Sequence, residues 1–340
     1  MKNNFSFTLL MLILSLSFFT GCKKEYKTKT VIREDGSCER TVKLISDDKE
    51  INFKDIRFPI PDKGKNGWIV KEEKGSDDTS KYVYTAYKKF ALVDELNKEF
   101  NDKNKYGVEI SLDKKFRWFY SFMEYKETYK KYFPFNNIVL KDYLSADEYQ
   151  KYKNGDTSKV IKDRIDEFMM KNMLAEFWKN LKDSLNIKHP GIISYESVYA
   201  KKDEIENWMK FNDKIFSDHE LNEASLGKIL NIKEVNPLFE VINSIVDNIT
   251  KEFVDSVVVD GDYTNNVVMP GIITASNSTS IKGNEAEWKL NVERFCFDDF
   301  VMTVESRVTN VWAFIITAVV VFIFLILLII PGFKKRNQLQ

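Results

Sequence analysis

The chain has 340 residues, 44% of them apolar and 14% aromatic, enough to bury a substantial core and too apolar for a disordered segment. Net charge is zero, but Lys2, Lys334, Lys335 and Arg336 lie outside residues 22–311 while every acidic residue lies inside, so that body is four charges negative. Such a body offers no broad basic surface for phosphate backbones, which argues against nucleic acid as a partner.

Residues 1–21 open with one basic residue, Lys2, and an apolar run from Phe5 to Phe19. That run is too short to span a bilayer, which takes ~20 apolar residues, and it predicts a signal peptide. An ordinary secretory cleavage site wants small residues at −1 and −3, and Phe19 at −3 is bulky. Phe19-Thr20-Gly21-Cys22 instead resembles a bacterial lipobox, with Phe in place of the usual Leu. The resemblance implies that Cys22 is lipidated, with palmitate among its acyl chains, and becomes the mature N-terminus. The alternatives are an unmodified cysteine behind a signal peptide and an uncleaved anchor.

Residues 22–30 read as a basic tether that reaches ~25 Å if extended. In "KTVIREDGSCERTVKLI" the Asp35-Gly36 pair separates two β-rich runs, as in a hairpin. Trp68–Glu72 and Lys81–Tyr87 predict further strands around the polar turn Gly75–Asp78. Leu92, Leu96 and Phe100 fall on one face of a helix. Val108–Leu112 alternates as a strand, and a second is expected from Phe116, with Phe116, Trp118, Tyr120 and Phe122 on one face and Phe119 and Met123 on the other. Ten aromatic residues lie between Phe116 and Phe135. They could form a stacking platform, but without basic surroundings the favoured expectation is a central strand buried on both faces.

From Ser145 the pattern turns helical. Ile161, Ile165, Met169, Met173, Phe177, Leu181 and Leu185 repeat every four residues, giving one apolar stripe. A second helix is expected across Ile205, Trp208, Met209, Ile215 and Phe216, and a third from Asn236-Pro237 to Phe253. Strand patterns return from about Val257 in "NNVVMPGIITASN", "EAEWKLNVERFCF" and "FDDFVMTVESRV". The expected fold is therefore α+β. An antiparallel sheet is built from N- and C-terminal strands, within an extracytoplasmic domain at 31–310 that carries a helical insertion at about 145–255.

Val311–Ile330 holds twenty residues without a charge, ~30 Å of helix, with Trp312 at one edge and Lys334, Lys335 and Arg336 beyond the other. This predicts a transmembrane helix at 311–330 and, by the positive-inside rule, a cytoplasmic tail at 331–340. Together the two ends predict a single-pass protein of the bacterial inner membrane with its main domain periplasmic. The short tether and the short last connection further predict that the two chain ends of the body lie close together at the membrane.

Pro270, Gly271, Asn277, Gly283, Asn284 and Trp288 in "VVMPGIITASNSTSIKGNEAEWKL", with the N-terminal strand–Asp-Gly–strand pattern, resemble LppM-type bacterial lipoprotein domains. The resemblance covers about a fifth of the chain and implies an extracytoplasmic lipoprotein domain; it transfers no catalytic residue.

His219 and Glu223 stand one helical turn apart, half of a metal site at most, and His189-Pro190-Gly191 reads as a helix stop. No nucleophile elbow, phosphate loop or dinucleotide fingerprint occurs, so no catalytic residue, metal or cofactor is expected. Cys38 and Cys296 remain as an even pair open to a disulfide in an oxidising compartment. The expected function is a membrane-proximal binding or scaffolding lipoprotein for an envelope protein or lipidic ligand. The alternatives are an envelope hydrolase with a carboxylate site and a sensor acting through a partner subunit.

Overall fold

The computed structural model describes residues 24–47, 61, 67–74, 81–101, 107–153, 155–156, 158–189, 191–209, 223–257 and 262–336. The predicted signal peptide, Cys22, His219, the turn expected at 75–78 and the stretch holding Ile215 and Phe216 lie outside them. The fold is α+β and divides into two compact units.

The sheet unit comprises 24–130, 261–291 and 299–340. Its strands are β1 (Glu25–Ile32), β2 (Cys38–Ser46), β3 (Ile69–Lys74), β4 (Tyr82–Phe90), β5 (Val108–Phe116), β6 (Tyr120–Tyr129), β7 (Asp262–Val268), β8 (Ile272–Ser276), β9 (Ser280–Lys282), β10 (Glu285–Asn291) and β11 (Phe300–Thr309), with helix α1 (Val93–Phe100) between β4 and β5. Seven strands form one sheet in the order β3-β4-β2-β1-β7-β10-β9, and four form a second in the order β5-β6-β11-β8. N- and C-terminal strands meet in both, as expected. The first sheet is mixed, because β1 and β7 run parallel, while its other neighbours are antiparallel.

Two expectations change here. The stretch read as a tether is β1 from Glu25 onward, its inward row Tyr26, Thr28, Thr30 and Ile32 all buried. The aromatic run is not one strand buried on both faces. Phe116 ends β5, residues 117–119 form a turn, and β6 buries Ser121, Met123, Tyr125, Glu127 and Tyr129 along its inner row but of its outer row only Thr128.

Several of the residues that carry the resemblance noted above have a structural task. Gly283 has φ +64° in the two-residue β9–β10 turn. Asn284 Nδ2 donates to the Met269 carbonyl at 2.7 Å. Asn277 joins the two sheets: its Oδ1 accepts from Trp288 Nε1 at 3.0 Å and from the Thr303 backbone at 2.9 Å, and its Nδ2 donates to the Val301 carbonyl at 2.7 Å. Trp288 itself is buried.

The helical unit comprises 131–260 with 292–298, so it starts earlier than the expected insertion and also takes a segment from the C-terminal part. Its described helices are α2 (Leu140–Tyr143), α3 (Ala146–Lys153), α4 (Lys159–Asp183, closing in a π turn at Ser184–Lys188), α5 (Tyr195–Tyr199), α6 (Lys202–Met209), α7 (Glu223–Leu230) and α8 (Asn236–Val257). A four-residue spacing advances 400° around a helix and drifts ~40° per step. The α4 stripe is accordingly completed by Phe168 and Trp178, and Met169 is only partly buried. Against it pack Leu238, Ile242, Ile249 and Phe253 of α8. Buried Asn172 of α4 accepts from the Ile138 backbone at 2.9 Å, closing that core without an orphaned amide.

A last helix, α9 (Val311–Arg336), leaves β11 after the single residue Asn310. Its stretch Val311–Leu328 is long and apolar enough to cross a membrane and is almost unburied by protein.

Candidate functional site

The features that stand out chemically in the sheet unit are an aromatic collar where α9 begins and a buried polar cluster between the two sheets. The collar comes from the β5–β6 turn. Phe116 stacks on Trp312 with ring centroids 6.1 Å apart, and Trp118 meets Trp312 edge-on at 5.4 Å. Phe119 packs on Phe314 at 4.6 Å, and Trp118 Nε1 donates to Thr317 Oγ1 at 2.9 Å. Phe116, Trp118 and Trp312 are 57%, 47% and 47% exposed, far more than large aromatic rings in a soluble core.

The turn beneath them has no unsatisfied carbonyl. Asn310 Nδ2 donates to the carbonyls of Arg117 (2.8 Å) and Trp118 (3.2 Å), and the Asn310 backbone N–H donates to the Phe119 carbonyl (2.9 Å). Ser121 Oγ in turn donates to Asn310 Oδ1 at 3.1 Å. One side chain thus ties the hairpin to the start of α9. Asn310→Ala should cost about 2–3 kcal/mol, since it deletes three bonds to buried or half-buried groups. Urea unfolding of the intact protein in micelles reads the change, and a loss under about 0.5 kcal/mol would show that the joint does not depend on Asn310.

The polar cluster is centred on Glu127 of β6. Its Oε1 accepts from Arg40 Nη2 (2.8 Å) and Tyr129 OH (2.6 Å). Its Oε2 accepts from Arg40 Nη1 (3.1 Å), Tyr125 OH (2.8 Å) and Asn265 Nδ2 (2.9 Å). Arg40 also donates to Thr30, and Tyr129 bonds Tyr263. Arg40 and Glu127 are both fully buried. Burial pushes the Glu127 carboxyl up, but the Arg40 charge and these hydrogen bonds outweigh it and hold the group below the usual carboxylate range. Burial next to that carboxylate drives the phenols of Tyr125 and Tyr129 well above their ordinary value. A carboxylate that accepts five bonds and is closed to solvent holds two sheets together; it has no room for a substrate.

The helical unit carries a shallow groove of about 550 Å³ lined by Trp178, Tyr195, Tyr199, Lys179, Lys182 and Lys202 among others. Lys182 and Lys202 lie over the rings of Tyr195 and Tyr199, and Trp178 Nε1 donates to Glu206 at 2.9 Å. These two lysines and the indole N–H are thus already engaged by neighbouring groups.

The residues singled out in the sequence scatter. His189 is exposed at the end of the α4 π turn, and Glu223 opens α7. Among the described residues no three of His, Cys, Asp and Glu gather as a metal set. Cys38 on β2 and Cys296 in the helical unit are both buried free thiols. Burial, partly offset by Arg40, pushes the Cys38 thiol up to about 11, which leaves it unreactive near neutral pH. Arg40, Glu127, Asn265 and Asn310 were missed. The available signal was a charged residue in an otherwise inward-facing row: Glu127 among Ser121, Met123, Tyr125 and Tyr129.

The molecule is thus an α+β protein whose sheet unit continues into one apolar helix. No family model matches the chain, and no curated protein is similar to it. Among solved structures, the folded domain of LppM from Mycobacterium tuberculosis, determined by NMR, aligns over 86% of this chain and 94% of its own at 11% identity and a TM-score of 0.32. The likeness is a remote one of structure.

Proposed function

We propose that the chain is a membrane-anchored extracytoplasmic lipoprotein whose sheet unit is mounted on α9, and that it serves as a membrane-proximal binding or scaffolding module for an envelope protein or lipidic ligand. Residues 1–21 are its signal peptide, Cys22 its lipidated residue, 311–330 its span of the inner membrane and 331–340 its cytoplasmic tail.

The observation that carries the membrane seating is the satisfied turn. Three consecutive carbonyls, Arg117 to Phe119, are each bonded by Asn310, so the backbone of the turn needs no water where the chain meets the membrane. The rings around them have the composition of an interfacial aromatic belt. A rigid joint of this kind holds a binding face at constant height above a membrane, which suits a scaffold.

The start of β1 stands away from the collar, unlike the sequence expectation that the chain ends of the body lie together. Lys114, two residues before the end of β5, donates to the Glu34 carbonyl in the β1–β2 turn, so that turn lies at the collar end. β1 begins eight residues away from that end, ~26 Å along a strand. Cys22 precedes Glu25 by three residues, a reach of ~10 Å. A lipid on Cys22 therefore enters the bilayer that holds α9 only when the strands lean toward it.

Affinity purification of the intact protein extracted from its membrane, with mass spectrometry of bound proteins and lipids, tests the binding role. A stoichiometric protein or a discrete lipid supports it. Recovery of the protein alone, with no lipid beyond its own acyl chains, contradicts it.

A further inference from the structure

The tip that meets α9 carries an ordered arrangement of charge. β-Pairing sets Lys115 opposite Phe122, and Phe122 opposite Arg307, so the three share one outward rank across β5, β6 and β11. Arg117 stands at the turn itself. The next rank on that face is acidic: Asp113 opposite Glu124, and Glu124 opposite Glu305. Two residues of strand, ~7 Å, separate the ranks. Lys115, Arg117 and Arg307 are exposed, and among the described residues none lies within ion-pair distance of a carboxylate. The cations thus stand at the α9 end and the acids behind them.

Depth along α9 locates that end. Thr317, the partner of Trp118, is six residues past Val311, ~9 Å down the axis. If the hydrocarbon began at Val311, the irregular turn with Arg117 would lie inside it, where a cation costs several kcal/mol and non-helical backbone is not tolerated facing lipid. Residues 317–333 still supply a run at the lower end of the length that spans a bilayer. The boundary therefore falls near Thr317, and the first two turns of α9 lie in the headgroup layer with the hairpin tip.

We infer that the β5–β6 tip is a headgroup-binding finger, in which Lys115 and Arg117, backed by Arg307, hold the phosphate of an anionic phospholipid in the leaflet on the sheet unit's side while Phe116 and Trp118 lie among the glycerol and upper acyl groups. The positive rank complements the phosphate, and the acidic rank behind it confines the lipid to the tip. The inference rests on the proposed membrane span of α9.

The test uses the intact protein reconstituted in phosphatidylcholine vesicles containing phosphatidylglycerol, with bromine on the acyl chains of one lipid or the other at equal mole fraction. Of the described tryptophans, Trp118 and Trp312 are those at the collar, so their quenching reports which lipid sits there. A basic residue near an anionic surface favours binding by about fivefold, so phosphatidylglycerol should be preferred by roughly tenfold or more, and Lys115→Gln with Arg117→Gln should bring the ratio near unity while phosphatidylcholine still quenches. Equal quenching by the two lipids in the unaltered protein overturns the finger but leaves the membrane seating standing. Quenching by neither overturns both. A preference that survives the double substitution overturns the assignment to these residues.

Discussion

Replacing Glu127 with Gln should cost about 3–5 kcal/mol, because it leaves the Arg40 guanidinium buried without its counter-charge. Buried ion pairs can often be exchanged for apolar side chains with little loss. That route is closed here: Tyr125, Tyr129 and Asn265 also donate to Glu127, and an apolar residue would leave all three without that acceptor. Tyr125→Phe, which removes one donor and leaves the ion pair, should cost only about 1 kcal/mol.

The pH dependence follows from the same cluster. The Glu127 carboxyl is held below its ordinary value in the folded chain, so its contribution is present above that ordinary value and is lost as pH falls through the folded one. In Arg40→Met the cation is gone and burial, the largest effect on this group, is opposed only by the weaker hydrogen bonds that remain, so the folded carboxyl should rise above its unfolded value. The sign then reverses, and that variant should gain stability as pH falls across the carboxylate range. Urea midpoints of the intact proteins over that range measure both slopes; parallel slopes would show that the pair does not set the protonation of Glu127.

Gly271→Ala should cost about 3 kcal/mol or more, against about 1 kcal/mol for Gly283→Ala. Both glycines have positive φ, +78° and +64°, a conformation that costs other residues roughly 1–2 kcal/mol. They differ in what a side chain would meet. A Cβ on Gly271 would stand 2.3 Å from the Arg307 carbonyl oxygen, a backbone atom fixed by β11, whereas at Gly283 nothing lies within 4 Å. β8 pairs with β11 at Ile272–Arg307, so relieving the clash means prising that edge strand away. Gly271→Asn separates the two causes, since Asn tolerates the dihedral but still carries a Cβ. It should be as damaging as alanine, and near-normal stability in urea would show that conformation alone makes Gly271 necessary.

What could be read from the sequence was what a single segment decides for itself. Twenty uncharged residues define α9, and the Asn236-Pro237 start and the four-residue stripe define α8 and α4. The strand patterns from Val257 onward located β7, β8 and β10, but not the short β9, and the reading of "EAEWKLNVERFCF" as one strand ran on through Val292–Phe295, which is a 3-10 turn. The first part of β1 was read as a tether because Tyr26-Lys27-Thr28-Lys29-Thr30 alternates between lysine and threonine, both polar, although the threonines face inward to Arg40 and Asn265. The break at Arg117–Phe119 was missed because it contains no glycine, proline or asparagine; its stabilising partner, Asn310, lies 193 residues away. Arg40 and Glu127 are 87 residues apart, and only the stacking of two sheets brings them together.

The most direct test of the mounting on α9 is hydrogen exchange of the intact protein in a bilayer, followed at the amides of Arg117, Asn310 and Ala313. These donate to the carbonyls of Tyr120, Phe119 and Asn310. A rigid joint predicts that they exchange as slowly as the centres of β6 and β11. Rapid exchange at Asn310 and Ala313 beside a protected β11 would mean a flexible hinge between sheet and helix, and would contradict the account.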